Sequence, residues 1–398
     1  MTEQKERLQA FKFELMPNGE QLKAMRQFAG SRRRVWNMAL ALQEERYRNG
    51  EKKLGYNSLC KELTAWRQGE EMPWLKDAPC AIQQQTLKDL DQAYSNFFNK
   101  KLRAARPRYK KRGTGDSFRF PDPKSIKLDQ VSGRVTLPKL GAVRYRKSRE
   151  VLGKVRSATV SYSSGKWYIS ILTKRLVEVE DRDGTEVGID VGVARFATLS
   201  DGSFIKPLNS FERQAKALRR AQRALSRRTK NSRNWRKAKT RVQRLHARVA
   251  NSRRDFLHKT TAEICDAFAN VYVEDLNISG MTKSAKGTVE KPGKNVAAKS
   301  GLNRKILDQG WGEFVRQLGY KQEWSGGLFV AVDARNTSRT CPSCGHVAKA
   351  NRRSQAKFKC VQCGFSANAD HVGATNILRR GQAMKGSVLL SGDASASE

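Results

Sequence analysis

The chain has 398 residues, with 78 lysines and arginines against 38 aspartates and glutamates, which gives a formal net charge of +40 at pH 7. This length allows two or three domains with cores of their own, and the excess of positive charge indicates a polyanionic partner. No apolar run is long enough to span a bilayer, so we expect no membrane partner. Composition alone leaves a ribosomal-type protein or a protein bound to a membrane surface as alternatives.

The first part of the chain has the pattern of one strand followed by several helices. Residues 11–15 alternate between apolar and polar side chains, as a strand does, and Pro17 ends that run. Apolar residues then recur at helical spacing, with a break between helices expected at Gly30–Ser31. We therefore predict a bundle of helices within residues 18–112.

Residues 113–180 contain short strand-like runs that alternate with turns. Regular short strands predict a small barrel or sandwich. We expect residues 1–17 to supply one more strand, so that the helical bundle is inserted into a β-barrel domain. Basic side chains interleave with aromatic ones here, which suits contact with phosphates and stacking on bases. Ordinary solvated strand faces explain the same mixture equally well.

Residues 181–335 and 366–380 alternate strands and helices in an order that fits an RNase H-like α/β domain. Asp190 lies in the middle of the first apolar strand, where an unpaired carboxylate would be costly. A cation is the simplest compensation for that charge. The residues that follow, 381–398, are largely small and polar at their end, and we predict that they form a disordered tail.

A strongly basic segment, residues 211–259, has a helical pattern that is divided near Thr229–Ser232, which predicts an antiparallel helical hairpin. From residue 213 to residue 259 there are eighteen lysines and arginines and a single acid, Asp255. Solvated helices normally mix both signs of charge, whereas this hairpin would repel itself unless it lay against phosphates. The predicted nucleic-acid contacts in it are Arg219, Arg220, Arg223, Arg227, Arg228 and Arg236.

Two CxxC pairs, separated by fifteen residues, predict a zinc ribbon within residues 336–365. Its four cysteines are Cys341, Cys344, Cys360 and Cys363. Four thiolates complete a tetrahedral Zn²⁺ site, although His346 is a possible substitute ligand, and a site closed in this way is structural. Reduced thiols and zinc suit a cytoplasmic protein, which in a prokaryote would be associated with the nucleoid.

Three carboxylates occupy positions that suit two-metal phosphodiester hydrolysis. Asp190 is on the first strand of the α/β domain, Glu274 ends its fourth strand, and Asp370 begins its last helix. Carboxylate oxygens suit Mg²⁺, and two such ions about 4 Å apart activate the attacking water and stabilise the leaving oxygen. Taken singly, each acid could be a cap, a turn residue or an edge charge, and Asp275 and Asp333 are rival ligands.

Four motifs resemble those of the TnpB (OrfB) family of transposon-encoded RNA-guided DNA endonucleases, which are related to the type V CRISPR effectors. The motifs are Gly188–Gly192, Val273–Leu276, Thr337–Gly345 and Ala369–Ile377. The helical run Gln83–Phe98 and the strand-like run Ser117–Pro121 are also similar, so the resemblance covers nearly the whole chain. One difference is that Val372 and Gly373 stand where the last motif often has Asn and Ala.

This resemblance implies a multidomain α+β protein: an N-terminal wedge-like β-barrel with an inserted helical recognition bundle, then an RNase H-like (RuvC) nuclease domain with an inserted zinc ribbon. It implies that Asp190, Glu274 and Asp370 are the catalytic acids and the ligands of Mg²⁺. It also implies that a guide RNA from the transposon end directs cleavage of double-stranded DNA next to a short target-adjacent motif. No second nuclease domain is apparent, so one site would cut both strands, and we expect a monomer in complex with RNA.

Two other functions remain open on the sequence. A nuclease-inactive RNA-guided repressor is one, although such relatives lose motif acids that this chain keeps. A transposase that transfers DNA strands is the other, because RNase H-like sites can perform either reaction, and only the resemblance disfavours it.

A helix that carries Gln83, Gln84 and Gln85 is the predicted reader of the target-adjacent motif. Glutamine offers a donor and an acceptor together, which pair with the edge of adenine. Lys76 and Lys88 are nearby candidates for contact with phosphate. The alternative is that these glutamines are merely solvated.

Overall fold

The computed structural model of this chain describes residues 2–102 and 104–392 and contains two compact units. The first unit comprises residues 4–177, and the second consists mainly of the residues from 178 onward. Within the described residues, every helix is too short or too polar to cross a bilayer.

The first unit begins with a long strand, continues with three α-helices and ends with six further strands. These elements are β1 (Thr2–Met16), α1 (Gly19–Arg48), α2 (Tyr56–Gln68), α3 (Cys80–Phe98), β2 (Ser117–Phe120), β3 (Lys127–Asp129), β4 (Arg134–Leu137), β5 (Gly141–Tyr145), β6 (Lys154–Ser163) and β7 (Lys166–Glu180). The helices are therefore inserted between β1 and the other strands, as the sequence predicts.

The seven strands form one sheet in the order β2-β6-β7-β1-β5-β4-β3. The pairs β1–β5, β2–β6, β3–β4, β4–β5 and β6–β7 are antiparallel. Alternate side chains of β1, namely Phe11, Phe13 and Leu15, are buried in the core, and Phe13 packs against Tyr145 of β5 at 5.0 Å between ring centroids. The alternation that predicted this strand thus reflects one buried face.

Helix α1 is continuous through Gly30–Ser31, so the predicted break between two helices at this position is wrong. A glycine inside a helix costs about 1 kcal/mol relative to alanine. Tertiary packing outweighs that cost, because Phe28, Ala29, Ser31 and Val35 are all buried.

The second unit contains seven strands and six α-helices among its described residues. They are β8 (Glu186–Val191), β9 (Ala197–Leu199), β10 (Phe204–Ile205), α4 (Ser210–Ser226), α5 (Arg233–Ala267), β11 (Asn270–Glu274), α6 (Ile278–Met281), α7 (Val296–Gln309), α8 (Trp311–Ser325), β12 (Leu328–Val332), β13 (Lys357–Lys359), β14 (Ser366–Asn368) and α9 (Ala369–Gly392).

Five of these strands form a mixed sheet in the order β10-β9-β8-β11-β12. Strand β11 is parallel to both β8 and β12, whereas β8 with β9 and β9 with β10 are antiparallel. Alternate residues of the central strands, such as Val187 and Val271, share a core with residues of α5 and α8. The residues between them on the strands point to the opposite face of the sheet, toward α9. There Tyr272 of β11 packs with Ile377 of α9.

Gly188 allows α9 to lie unusually close to β8. A Cβ atom at this position would come within 2.2 Å of the carbonyl oxygen of Ala374. Only glycine avoids that overlap. The close approach matters because α9 carries Asp370 and β8 carries Asp190.

Helices α4 and α5 form the predicted basic hairpin, and α5 continues without interruption beyond the basic segment to Ala267. The start of α4 is held by Asp308 of α7. The Asp308 carboxylate accepts a hydrogen bond of 2.9 Å from the Ser210 hydroxyl and another of 2.9 Å from the Phe211 backbone N–H. It therefore acts as the cap that binds orphan N–H groups at a helix start.

The prediction of a disordered tail from residue 381 is wrong for residues 381–392, because α9 continues to Gly392. Glu186 of β8 stabilises this extension by accepting hydrogen bonds from Gln382 Nε2 at 2.7 Å and Lys385 Nζ at 3.1 Å. Residues 393–398 of the predicted tail lie outside the described residues.

Candidate active site

Three acids from two neighbouring strands and one helix line a single cavity of about 320 Å³. Ile189 and Val273 lie opposite each other across the parallel β8–β11 pair, so the next residues, Asp190 and Glu274, sit side by side at the same edge of the sheet. Asp370 is the second residue of α9, which packs on β8. The structure thus brings together the three acids that the sequence singled out.

The electrostatics of this cavity favour binding of a cation. Burial, followed by the negative charges of Glu274 and Asp370, raises the pKa of Asp190 to about 8. Burial also raises the pKa of Glu274, although a hydrogen bond from Thr337 opposes the change. Grouped carboxylates disfavour one another's charge. A bound cation would remove that penalty, and hard oxygen donors of this kind suit Mg²⁺.

Thr337 and Arg352 also line the cavity, although neither is among the site residues predicted from the sequence. The Thr337 hydroxyl donates a hydrogen bond to Glu274 Oε1. Arg352 Nη2 lies 3.7 Å from Asp370 Oδ1, so the segment between the two CxxC pairs brings a positive charge to the acids. Thr337 begins the motif Thr337–Gly345, so its place in that motif could have indicated a role for it. Arg352 is one of many arginines in a basic chain, and nothing in the sequence distinguishes it.

The rival metal ligands do not belong to this site. Asp275 and Asp333 are exposed, and neither is among the described residues that line the cavity. Asp333 instead accepts hydrogen bonds from the backbone N–H and the Nε of Arg335. The backbone bond is the main reason that the pKa of Asp333 is lowered.

The four predicted cysteines converge as a possible metal site. Their sulfur atoms all lie within 4.8 Å of one another, and the pairs Cys341–Cys363 and Cys344–Cys360 are each 3.6 Å apart. Gly345 and Gly364 follow the two CxxC pairs with φ angles of 76° and 75°. Such left-handed turns are easy for glycine. They let each pair turn both thiols toward one centre, and the cluster does not include His346.

The structure separates the predicted readers of the target-adjacent motif. Gln83 is fully buried, at 0% exposure, and its side-chain amide donates to the Ser31 hydroxyl at 2.5 Å and to the Leu75 carbonyl at 2.9 Å. Gln83 is therefore not available to contact a base, and its prediction as a contact residue is withdrawn. Gln84 and Lys76 are both exposed.

The six predicted arginines of the α4–α5 hairpin are all exposed. In the described part of the chain, the ion pairs of this hairpin are those of Arg253 with Asp308 and of Lys259 with Asp255, so the six have no carboxylate partner. One groove on the hairpin, of about 520 Å³, is lined by Arg220 and Arg228 together with further basic and small residues. The hairpin therefore presents uncompensated positive charge to solvent.

Comparison with known families gives matches in three parts of the chain. A family described as "Probable transposase" matches residues 170–285, which contain Asp190 and Glu274. The "Cas12f1-like, TNB domain" matches residues 311–377, which contain Asp370 and the four clustered cysteines. A "Helix-turn-helix domain" matches residues 1–52, and the described part of that range forms β1 and the single helix α1.

Comparison with individual proteins gives two relatives that match most of the chain and one that matches a short part of it. The "Putative RNA-guided DNA endonuclease InsQ" of Escherichia coli (strain K12) is 53% identical over 95% of this chain and 93% of its own length. The "Putative RNA-guided DNA endonuclease" of Streptomyces pristinaespiralis is 31% identical over 94% of this chain and 89% of its own. A CRISPR-associated endodeoxyribonuclease Cas12f1, from Sulfoacidibacillus thermotolerans, is 45% identical over 15% of this chain and 14% of its own.

Proposed function

The chain belongs to the TnpB (OrfB) family and is an RNA-guided DNA endonuclease. We propose that a guide RNA from the transposon end directs this chain to cut double-stranded DNA beside a short target-adjacent motif. The convergence of Asp190, Glu274 and Asp370 in one cavity carries the proposal for the site of cleavage. We assign the cutting of both strands to this one site.

We propose that the three acids hold Mg²⁺, which suits their hard oxygen donors. A bound pair of these ions would activate the attacking water and stabilise the leaving oxygen of the phosphodiester. The chain's own contribution is to hold the carboxylates in place. Strands β8 and β11 fix Asp190 and Glu274 side by side, while the start of α9 fixes Asp370. Arg352 adds a positive charge beside Asp370, where a phosphate of the substrate would enter.

We propose that the cysteine cluster binds Zn²⁺ and is structural. A tetrahedral ion with Zn–S distances of about 2.3 Å separates its sulfur ligands by about 3.8 Å. The distances of 3.6 Å between Cys341 and Cys363 and between Cys344 and Cys360 fit this geometry. Four thiolates leave no open position for a substrate, so the ion serves to hold the ribbon that carries Arg352.

We propose that the basic hairpin holds the backbone of the guide RNA and its DNA hybrid, since its six predicted arginines have no carboxylate partner among the described residues. On the first unit, Gln84 and Lys76 are the proposed contacts to the target-adjacent duplex. The proposed domain limits are 18–112 for target recognition, 1–17 with 113–180 for a wedge-like barrel, 181–335 with 366–380 for a RuvC-like nuclease, and 336–365 for the ribbon.

Exchange of the guide tests this function directly. The purified RNA–protein complex is given DNA that matches either its original guide segment or a replaced one, with Asp190→Ala as the uncleaving control. Cleavage that moves to the new target supports the proposal. Cleavage that stays on the old target, or that proceeds without RNA, contradicts guidance by RNA. Binding without cleavage would favour a repressor, and joined DNA strands would favour a transposase.

A further inference from the structure

The hydrogen bond between Thr337 and Glu274 links two segments that lie 63 residues apart in the chain. Thr337 is 3% exposed, and its hydroxyl has two acceptors within reach, Glu274 Oε1 and the Ala334 carbonyl oxygen at 3.2 Å. A hydroxyl has one proton to donate. The Glu274 oxygen is the nearer acceptor and the charged one, and hydrogen bonds to ionised acceptors are the stronger kind.

The position of Thr337 is itself fixed by α9. Asn376 Nδ2 donates hydrogen bonds to the carbonyl oxygens of Thr337, at 2.7 Å, and of Thr340, at 2.8 Å. Asn376 is only 7% exposed, so water competes little for these bonds. It lies six residues after Asp370 on the same helix. One helix therefore supplies a catalytic acid and also anchors the loop that contacts a second one.

Glu274 has particular need of such a contact. It is the last residue of β11, and its half-buried side chain projects beyond the sheet into the cavity. A glutamate has three side-chain torsions, so its carboxylate can take several positions unless a partner selects one. The Thr337 hydroxyl occupies one lone pair of Oε1, and the other acceptor positions of the carboxylate make no hydrogen bond to the described residues.

We propose that Thr337 is a positioning residue that orients the Glu274 carboxylate for metal binding, with Asn376 holding Thr337 in place. This inference rests on the proposed role of the three acids as metal ligands. Outer partners that orient metal ligands typically change metal affinity or activity by about 10- to 100-fold when they are removed. We expect metal affinity and activity to fall by this factor when the Thr337 hydroxyl is removed and the rest of the loop is unchanged.

The test uses three substitutions in one loop. Thr337→Val replaces the hydroxyl with a methyl group of similar size, and Thr337→Ser keeps the hydroxyl. Thr340→Val is the matched control, since it removes the same group three residues away. Among the described residues, that hydroxyl bonds to the Asn336 carbonyl at 2.8 Å and not to an acid of the cavity. Zinc content and thermal unfolding report whether each variant keeps the ribbon folded.

Two measurements are made on each variant. The first is the single-turnover rate of target cleavage by the RNA–protein complex across a Mg²⁺ titration. The second is binding of Mn²⁺ alone to the full-length, zinc-loaded protein without RNA, followed by electron paramagnetic resonance, with Asp190→Ala as background. We expect Thr337→Val to lower both the cleavage rate and the affinity for Mn²⁺ by about 10- to 100-fold. We expect Thr337→Ser and Thr340→Val to stay within about threefold of the wild-type chain.

Unchanged metal binding in Thr337→Val would overturn the proposal. Equal losses in Thr337→Val and Thr340→Val would also overturn it, because they would show that the loop tolerates no change. If Thr337→Val does not fold, Thr337→Ala replaces it in the same comparison with Thr337→Ser. A wild-type complex that fails to cleave would count against the proposed function, and the Mn²⁺ titration would still decide the role of Thr337.

Discussion

Gly373 of α9 lies against the Asp190 side chain, so that a Cβ atom at residue 373 would come within 2.9 Å of Asp190 Oδ2 and 3.2 Å of its Cγ. Real Cβ atoms essentially never come within 3.0 Å of another heavy atom, so the Asp190 carboxylate would have to move. The atoms that must move are at the end of a side chain and not in the backbone. A larger residue at 373 would therefore displace the Asp190 carboxylate without moving the backbone.

Gly373 stands where the last motif of the family often has alanine. In this chain the Asp190 carboxylate occupies the space of that Cβ atom, so we expect Gly373→Ala to shift it and to lower the cleavage rate by about 10-fold, because displacement of a reacting group by 1 Å can cost about 100-fold. The rate is measured on matched target DNA at saturating Mg²⁺. Gly301→Ala is the control for alanine on a helix, since a Cβ atom there has no neighbour within 4 Å. Full activity in Gly373→Ala would mean that Asp190 tolerates the shift.

Gly188→Ala provides a useful contrast to this variant. A Cβ atom at Gly188 would overlap the backbone of α9, at 2.2 Å from the Ala374 carbonyl oxygen. Overpacking of this kind costs about 1–3 kcal/mol of stability. We expect lower thermal stability for Gly188→Ala. For Gly373→Ala we expect equal or slightly higher stability, because alanine is the better helix former by about 1 kcal/mol and the new Cβ atom meets only the end of a side chain.

Substitution of the acids should separate cleavage from DNA binding. Asp190→Ala, Glu274→Ala and Asp370→Ala each remove an oxygen ligand that the proposed chemistry requires. We expect each variant to lose cleavage and to keep binding of the matched target near the wild-type level. Asp333→Ala, at an exposed acid outside the cavity, is the control and should cleave normally. Cleavage retained in the Asp190 variant would refute the assignment.

The sequence was sufficient to predict which acids meet, for a physical reason. Parallel neighbouring strands end at the same edge of a sheet, so Asp190, one residue before the end of β8, lies close to Glu274 at the end of β11. The CxxC spacing likewise determined the cysteine cluster, because each pair lies in one short turn. The cysteines meet because each pair lies in a local turn, and the acids of β8 and β11 meet because paired strands have a regular register.

Other features depend on tertiary contacts that periodicity does not encode. Gln83 is polar and was expected at the surface, yet it faces the core and bonds to Ser31 of α1. Thr337 meets Glu274 across 63 residues of sequence. The end of α9 is helical because Glu186 binds its polar side chains, and a pattern read along the chain cannot supply that distant partner.

Loss of a cluster cysteine should release zinc and destabilise the ribbon. We expect about one Zn²⁺ per chain by elemental analysis, because four thiolates complete one tetrahedral site. For Cys360→Ser, we expect the affinity for zinc, measured by competition with a chelator, to fall steeply. Loss of a residue that only orients a metal ligand typically lowers metal affinity by about 10- to 100-fold, and loss of a ligand itself should lower it more. Cys80→Ser, at an exposed thiol outside the cluster, is the matched control. A well-folded wild-type chain without zinc would contradict this prediction.

Gln84 and Gln83 should respond differently to substitution. If exposed Gln84 reads a base edge, Gln84→Ala removes about 1–3 kcal/mol of discrimination and relaxes the preference for sequence beside the target. Gln83→Ala should instead leave Ser31 and the Leu75 carbonyl without their partner, at a cost of about 1–3 kcal/mol of stability. A cleavage assay on DNA with randomised flanks measures the preference. No preference in the wild-type complex would refute the assignment of Gln84.

The exposed arginines of the hairpin should hold nucleic acid by charge and not by sequence. Replacement of all six by glutamine removes their contacts to phosphate, and each lost contact lowers the slope of log K against log salt by about 0.7–0.9. We expect a lower yield of RNA–protein complex and a weaker salt dependence, with cleavage at the same target site. Arg316→Gln is the control for one exposed charge, because that side chain already pairs with Glu313 at 2.7 Å. A changed cleavage site would show that the hairpin reads sequence, and an unchanged salt slope would show that it does not contact phosphates.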